Sequence, residues 1–181
     1  INSKYLILYF GIVRGYKGLD VLINAASLLK DRLNDFHILA VGESYENSEN
    51  YNSLIKKLNI NDVFTWINEF VPDAAVSKYF SASDVVALPY KSASQSGIVQ
   101  ISYSFNTPVV VTDVGGLPEY VKDNVSGKII NPNDPQILAD TLCKGLKNGS
   151  FYKMSGLIES YKKKFSWENF VGGIDSIYEK L

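Results

Sequence analysis

Short apolar runs alternate along this chain with longer segments of helical period, and that alternation restricts the fold more than any other property of the sequence. "YLILYF" at residues 5–10 is a continuous apolar run that stops at Gly11, as expected of a strand buried on both faces. From Leu19 to Leu33 the period changes: Leu22, Ala25, Ala26, Leu29 and Leu33 fall on one helical face. The unit then repeats in type. "FHILAVG" (36–42) predicts a second strand, 49–59 a helix, "VFTWI" (63–67) a third strand, and 72–83 a helix opened by Pro72. "DVVALPY" (84–90), "TPVVVTD" (107–113) and "GKIINP" (127–132) predict three more strands, with a helix from Ser96 or Gly97 between the first two. Leu138, Leu142 and Leu146 mark the inward face of the next helix, and stretches near 151–165 and 167–180 predict two closing helices.

Parallel neighbours need crossover connections, so six strands alternating with helices predict a doubly wound α/β domain: a Rossmann-like, six-stranded parallel sheet with helices on both faces. The 181 residues suit a single domain, and no linker or repeat divides them. Ligands of such sheets lie outside the carboxyl ends of the strands, near the point where strand order reverses. The informative segments are therefore "GIVRGYKG" (11–18), "GESYEN" (42–47), "NEFVPD" (68–73), "KSASQSG" (91–97) and "TDVGGLPE" (112–119). All are polar or glycine-rich.

Charge and composition exclude several classes. Eighteen basic side chains against nineteen acidic ones leave a net charge of −1, so no nucleic-acid groove is expected and any phosphate site must be local. The lone Cys143 cannot close an internal disulfide, which predicts a reduced, cytoplasmic protein with Cys143 in its core. No apolar run is long enough to span a bilayer, and the abrupt start "INSKYLILYFG", without a signal peptide, suggests a soluble piece of something longer. His37 falls inside a predicted strand, where a structural role outweighs catalysis, and no Ser-His-Asp set or metal-ligand spacing is present. Lys162, Lys163 and Lys164 read as a wet helix face.

The helix start at Ser96–Gly97 offers unpaired backbone N–H groups and a partial positive charge, which suit phosphate; Ser96 as a simple N-cap is the plainer reading. Arg14 and Lys17 flank the turn after the first strand and together neutralise a diphosphate, or else belong to a solvated loop. "GIVRGYKG" lacks the Gly-x-Gly-x-x-Gly spacing of dinucleotide-binding turns, so Glu43 alone does not argue for hydride transfer. Gly115 and Gly116 supply a second turn. Glu119 behind them either complements a helix dipole or accepts a hydrogen bond from a sugar or ribose hydroxyl.

"YKGLDVLINA", "ILAVGES", "SASDVVALPY", "TPVVVTDVGGLPEYVKDNVSGKIINPNDPQILADTL" and "KKFSWENF" resemble the C-terminal half of family-four retaining glycosyltransferases of the GT-B fold. The resemblance runs through essentially the whole chain and is strongest over 107–142. It implies one donor-binding domain over residues 1–181, a nucleotide-diphosphate sugar as donor substrate, no further cofactor and no metal. It also implies an N-terminal acceptor domain absent from this chain, so the piece alone is expected to transfer little or nothing. A full-length parent with a lipid-linked acceptor would associate with a membrane. By the same resemblance, Arg14 and Lys17 stabilise the leaving diphosphate. Gln95, Ser96, Gly97, Ile98, Val99, Gly115, Gly116 and Glu119 meet donor phosphates and sugar, and Gly42, Asn68, Glu69 and Phe70 cradle the base. Two departures stand out. The family's arginine more often stands where this chain has Ile12, and its two glutamates are replaced by Ala93 and Ile101, or by Ser94 and Ser102 in the neighbouring register. A nucleotide-binding scaffold of the same fold and a dehydrogenase-type domain are the other classes.

Overall fold

The computed structural model describes residues 1–178. Six strands, β1 (Tyr5–Phe10), β2 (Phe36–Val41), β3 (Phe64–Ile67), β4 (Val85–Leu88), β5 (Val109–Thr112) and β6 (Gly127–Ile130), form one sheet in the order β3-β2-β1-β4-β5-β6. Every pairing is parallel. This is the doubly wound sheet that the alternation predicts. The four later strands are shorter than their apolar runs: β4 ends before Pro89, and β5 begins only after Pro108, which lacks an N–H for the ladder.

Alternation along the strands splits the core into two layers. Ile7 and Tyr9, with Phe36, Ile38 and Ala40, pack against α1 (Leu19–Lys30), α2 (Ser48–Lys57) and α6 (Pro135–Lys147). Leu8 and Phe10, with Val86, Leu88, Val109 and Val111, pack against α3 (Asp73–Ser81), α4 (Gly97–Ser104) and the short α5 (Leu117–Tyr120). Full burial of one such apolar side chain contributes about 1.5–3 kcal/mol. Phe80 shows how tight the second layer is: its ring lies 5.0 Å from that of Phe10 and 5.8 Å from that of Phe105. Cys143 is a core residue, as expected. His37 is buried in β2 and bonds Thr65 Oγ1 across to β3 at 2.8 Å.

The C-terminal stretch departs from the sequence reading. α7 (Ser150–Tyr161) gives way to a 3₁₀ turn, Lys162–Phe165, where a helix to 165 is predicted. Tyr161 and Phe165 meet edge to face at 5.6 Å and Phe165 packs on Tyr120 at 5.7 Å, which favours the tighter turn. Lys162 is not part of a wet face, because it is half-buried between Glu159 at 2.8 Å and Asn106 at 3.0 Å. α8 (Trp167–Tyr178) buries none of its residues and exposes Trp167, Phe170, Ile174 and Ile177; residues 179 and 180 of the predicted helix lie outside the described residues. Among the described residues, no helix is long and apolar enough to cross a membrane.

Candidate functional site

β1 and β4 are neighbours, yet the chain leaving β1 turns towards β2 and the chain leaving β4 towards β5. Their two exits therefore diverge, leaving a crevice at the carboxyl edge. Strand pairing continues into the rim: Gly11 N donates to Val41 O at 2.9 Å and Val13 N to Glu43 O at 2.8 Å. Beyond it, residues Gly15–Lys17 form a 3₁₀ turn that closes on Gly18.

The rim loops interlock through two backbone bonds and one threonine hydroxyl. Lys91 N donates to Tyr16 O at 2.7 Å, Thr112 Oγ1 to Tyr90 O at 2.6 Å, and Gly116 N to Ser94 O at 2.9 Å. Two crossings require glycine. A Cβ on Gly18 would lie 2.0 Å from Pro89 O, and one on Gly115 1.6 Å from Ala93 O; both residues also have the positive φ that side chains disfavour, +70° and +52°. The loops after β1, β4 and β5 thus meet as one rigid edge. The ion pair of Lys91 Nζ with Asp20, 2.7 Å, adds a side-chain tie between α1 and the loop after β4.

Within that edge lies a cation without a counter-charge. The Lys17 ammonium has no ion-pair or hydrogen-bond partner among the described residues, and it stands 5.8 Å from the Tyr90 ring centroid. A Cβ added to Gly11 would lie 3.5 Å from both Lys17 Nζ and Ile98 Cδ1, so the ammonium and the Ile98 side chain, in the first turn of α4, both border Gly11. Burial, and secondarily the charge of Arg14, pull the Lys17 pKa below the ordinary lysine range. An anion bound here would relieve both effects.

Ser96 is the N-cap of α4: its Oγ accepts from Ile98 N at 3.4 Å and lies 3.3 Å from the Tyr90 hydroxyl, which burial pushes up to about 12 and so keeps neutral. Its hydroxyl is largely committed to structure. Gly97 is exposed, with nothing within 4 Å of a Cβ there, and presents the free start of the helix. Val99 turns towards the core. Its side chain is fully buried and its N–H donates to Ser96 O at 3.3 Å, so it offers the crevice neither group.

The other predicted residues divide into three places. Arg14 is exposed, with its guanidinium carbon 5.7 Å from the Tyr45 ring centroid, on the outer lip. Gly42, Glu69 and Phe70, with Phe10, Gly11 and Glu43, line a cavity of about 130 Å³; Asn68 stands behind it, its Oδ1 accepting from Ser44 N at 2.7 Å. Gln95 shares a shallow cleft with Tyr16, Ser92, Ala93 and Ser94, while Gly116 lies beneath it and Glu119 is exposed on α5. At the positions of the missing glutamate pair, Ile101 packs on the second core layer and the buried Ser102 Oγ donates to Thr107 O at 2.7 Å. Neither faces the crevice. Among the described residues, no group of three His, Cys, Asp or Glu could hold a metal ion.

Sequence reasoning missed Glu46, whose Oε1 accepts from Gly15 N at 2.7 Å, and the Asp20–Lys91 tie. Nothing in "GESYEN" distinguishes Glu46 from Glu43. A larger groove, of about 760 Å³, lies elsewhere, between the later turns of α4 and the start of α8. It touches none of the rim loops.

The model of the glycosyl transferases group 1 family matches residues 1–165, and the chain belongs to that family. It is 31% identical to the D-inositol 3-phosphate glycosyltransferase of Thermobifida fusca, over 98% of this chain and 43% of the relative. With the enzyme of the same name from Corynebacterium urealyticum the identity is 29%, over 99% of this chain and 44% of the relative. The chain thus spans less than half the length of these relatives. Two solved structures share its fold. The C-terminal domain of a group 1 glycosyl transferase, LpcC of Francisella tularensis, superposes with a TM-score of 0.83 at 21% identity, covering 92% of this chain and 89% of that one. Anabaena HepE, in complex with UDP, superposes with a TM-score of 0.84 at 17% identity over 99% of this chain and 50% of that one.

Proposed function

We propose that this group 1 glycosyltransferase chain is the donor-binding half of an enzyme that transfers a sugar, with retention, from a nucleotide-diphosphate sugar to an acceptor hydroxyl. The observation that carries the reading is the uncompensated Lys17 ammonium, which borders Gly11 together with Ile98 of α4, at the switch point of the sheet. A diphosphate fits that charge and the positive end of α4. As the glycosidic bond breaks, negative charge grows on the leaving diphosphate. Lys17, Arg14 from the lip and the amide at Gly97 are suited to stabilise it. The cavity at Gly42, Glu69 and Phe70 takes the base, and Gln95, with Glu119, reaches donor hydroxyls. That HepE has been solved with UDP, and again with UDP-glucose, supports a nucleotide-sugar donor for the shared fold.

The acceptor site belongs to the half of the relatives that this chain does not span. The chain alone therefore binds donor without sustained transfer. Its place is polysaccharide or glycoconjugate synthesis on the cytoplasmic side, with membrane association left to the full-length parent and no cofactor beyond the donor. Calorimetric titration with nucleoside diphosphates and their sugar conjugates tests this. We expect one diphosphate to bind, about 10- to 100-fold more weakly to Lys17→Ala, and with a smaller loss for the exposed Arg14→Ala. Absence of binding across the panel defeats the reading.

One observation favours a second reading, a nucleotide-binding scaffold: no acid faces the crevice at positions 93, 94, 101 or 102. A scaffold binds free nucleotide as tightly as the nucleotide sugar, so the same titration separates the two.

A further inference from the structure

We propose that Glu46 is a positioning residue for the basic turn: from the loop after β2, its carboxylate holds the Gly15 amide and thereby sets the direction in which Lys17 is presented. This rests on the donor-binding reading above. An acid beside an anion site is electrostatically adverse, so its presence there needs another reason. The hydrogen bonds supply one. Oε1 accepts from Gly15 N at 2.7 Å, and Oε2 accepts from the Tyr51 hydroxyl at 3.2 Å. With both oxygens engaged, the carboxylate forms no ion pair with Arg14 or Lys17, whose charges stay free among the described residues.

The anchor behind Glu46 is itself fixed. The Tyr51 ring meets Trp66 edge to face at 5.5 Å, and Trp66 Nε1 donates to Gly42 O at 3.2 Å. On the other side, Lys17 N donates to Arg14 O at 2.8 Å and Gly18 N to Gly15 O at 3.3 Å, so Gly15 lies inside the turn that carries Lys17. Only hydrogen-bond acceptance is required of residue 46, and an amide oxygen can supply that without the charge.

The test uses Glu46→Ala and Glu46→Gln in this chain, with inorganic pyrophosphate as the calorimetric probe. Positioning predicts that Glu46→Ala binds pyrophosphate about tenfold more weakly, while Glu46→Gln stays within about threefold of wild type. Loss of charge alone predicts the opposite, tighter binding in both variants. A second readout needs no ligand: titration of the Lys17 Cε resonance. Release of the turn into solvent raises the Lys17 pKa in Glu46→Ala, whereas mere removal of a negative neighbour lowers it. Pyrophosphate bound by Glu46→Ala as tightly as by wild type, or a lowered Lys17 pKa in that variant, overturns the proposal. Failure of the wild-type chain to bind pyrophosphate or any nucleoside diphosphate instead overturns the donor reading, and the Lys17 titration then judges Glu46 by itself.

Discussion

The two sides of the rim are built in different ways. The basic turn at residues 14–17 is tied by backbone on one side only, where Lys91 N bonds Tyr16 O, and on the other by a side chain reaching in from another loop, since Glu46 bonds the Gly15 amide. The small-residue side, 91–97 against 113–117, is held by backbone on backbone, with Gly115 and Gly116 packed against the carbonyls of Ala93 and Ser94. The difference teaches where each side tolerates change. A side-chain clamp loosens by degrees when its acid is replaced. A backbone crossing has no room for one added carbon.

Gly115→Ala gives the largest expected effect on stability. A Cβ 1.6 Å from Ala93 O, on a residue at φ +52°, forces the two loops apart. Unfolding in urea should show a loss of about 3 kcal/mol or more, and a midpoint unchanged from wild type would break the comparison. Ser96→Ala comes next, because it removes the cap of α4. The expected cost is about 1 kcal/mol by the same assay, with nucleotide binding reduced far less than by Lys17→Ala. The smallest effect sharpens the other side. Lys17→Met should raise the stability of the unliganded chain while weakening diphosphate binding, since Lys17 is a partly buried charge without a partner.

The pH dependence of that last effect has a definite sign. The folded pKa of Lys17 lies below its unfolded value, so between the two the unfolded chain binds more protons and stability rises with pH. Below the folded pKa the cost of the charge is present in full. It vanishes as pH climbs towards the ordinary lysine value, about 10.4. The stability gap between wild type and Lys17→Met should therefore close in that alkaline window, as thermal midpoints across the pH series would show. A gap that stays constant assigns the effect to packing instead of charge.

Much of the fold was legible because burial on both faces writes continuous apolar runs, such as "YLILYF", and period does the rest. Strand ends were less so, because Pro89 and Pro108 stop ladders that the apolar runs alone would extend. Lys17, Ser96 and Gly97 stand at the carboxyl edge of the sheet, where their place after strands in the sequence puts them. Val99 turns its side chain to the core, since a helix start shows one face to the rim and another to the core.

The sequence by itself determined the doubly wound parallel sheet and the five polar segments at its carboxyl edge, because hydrophobic period and glycine placement are local properties of the chain. Which charges on that edge remain free was decided only by the tertiary structure. Glu46 meets Gly15, and Lys91 meets Asp20, across segments distant in sequence. Charge pairing depends on separation in space, and sequence order does not encode that separation until the sheet has brought the loops together.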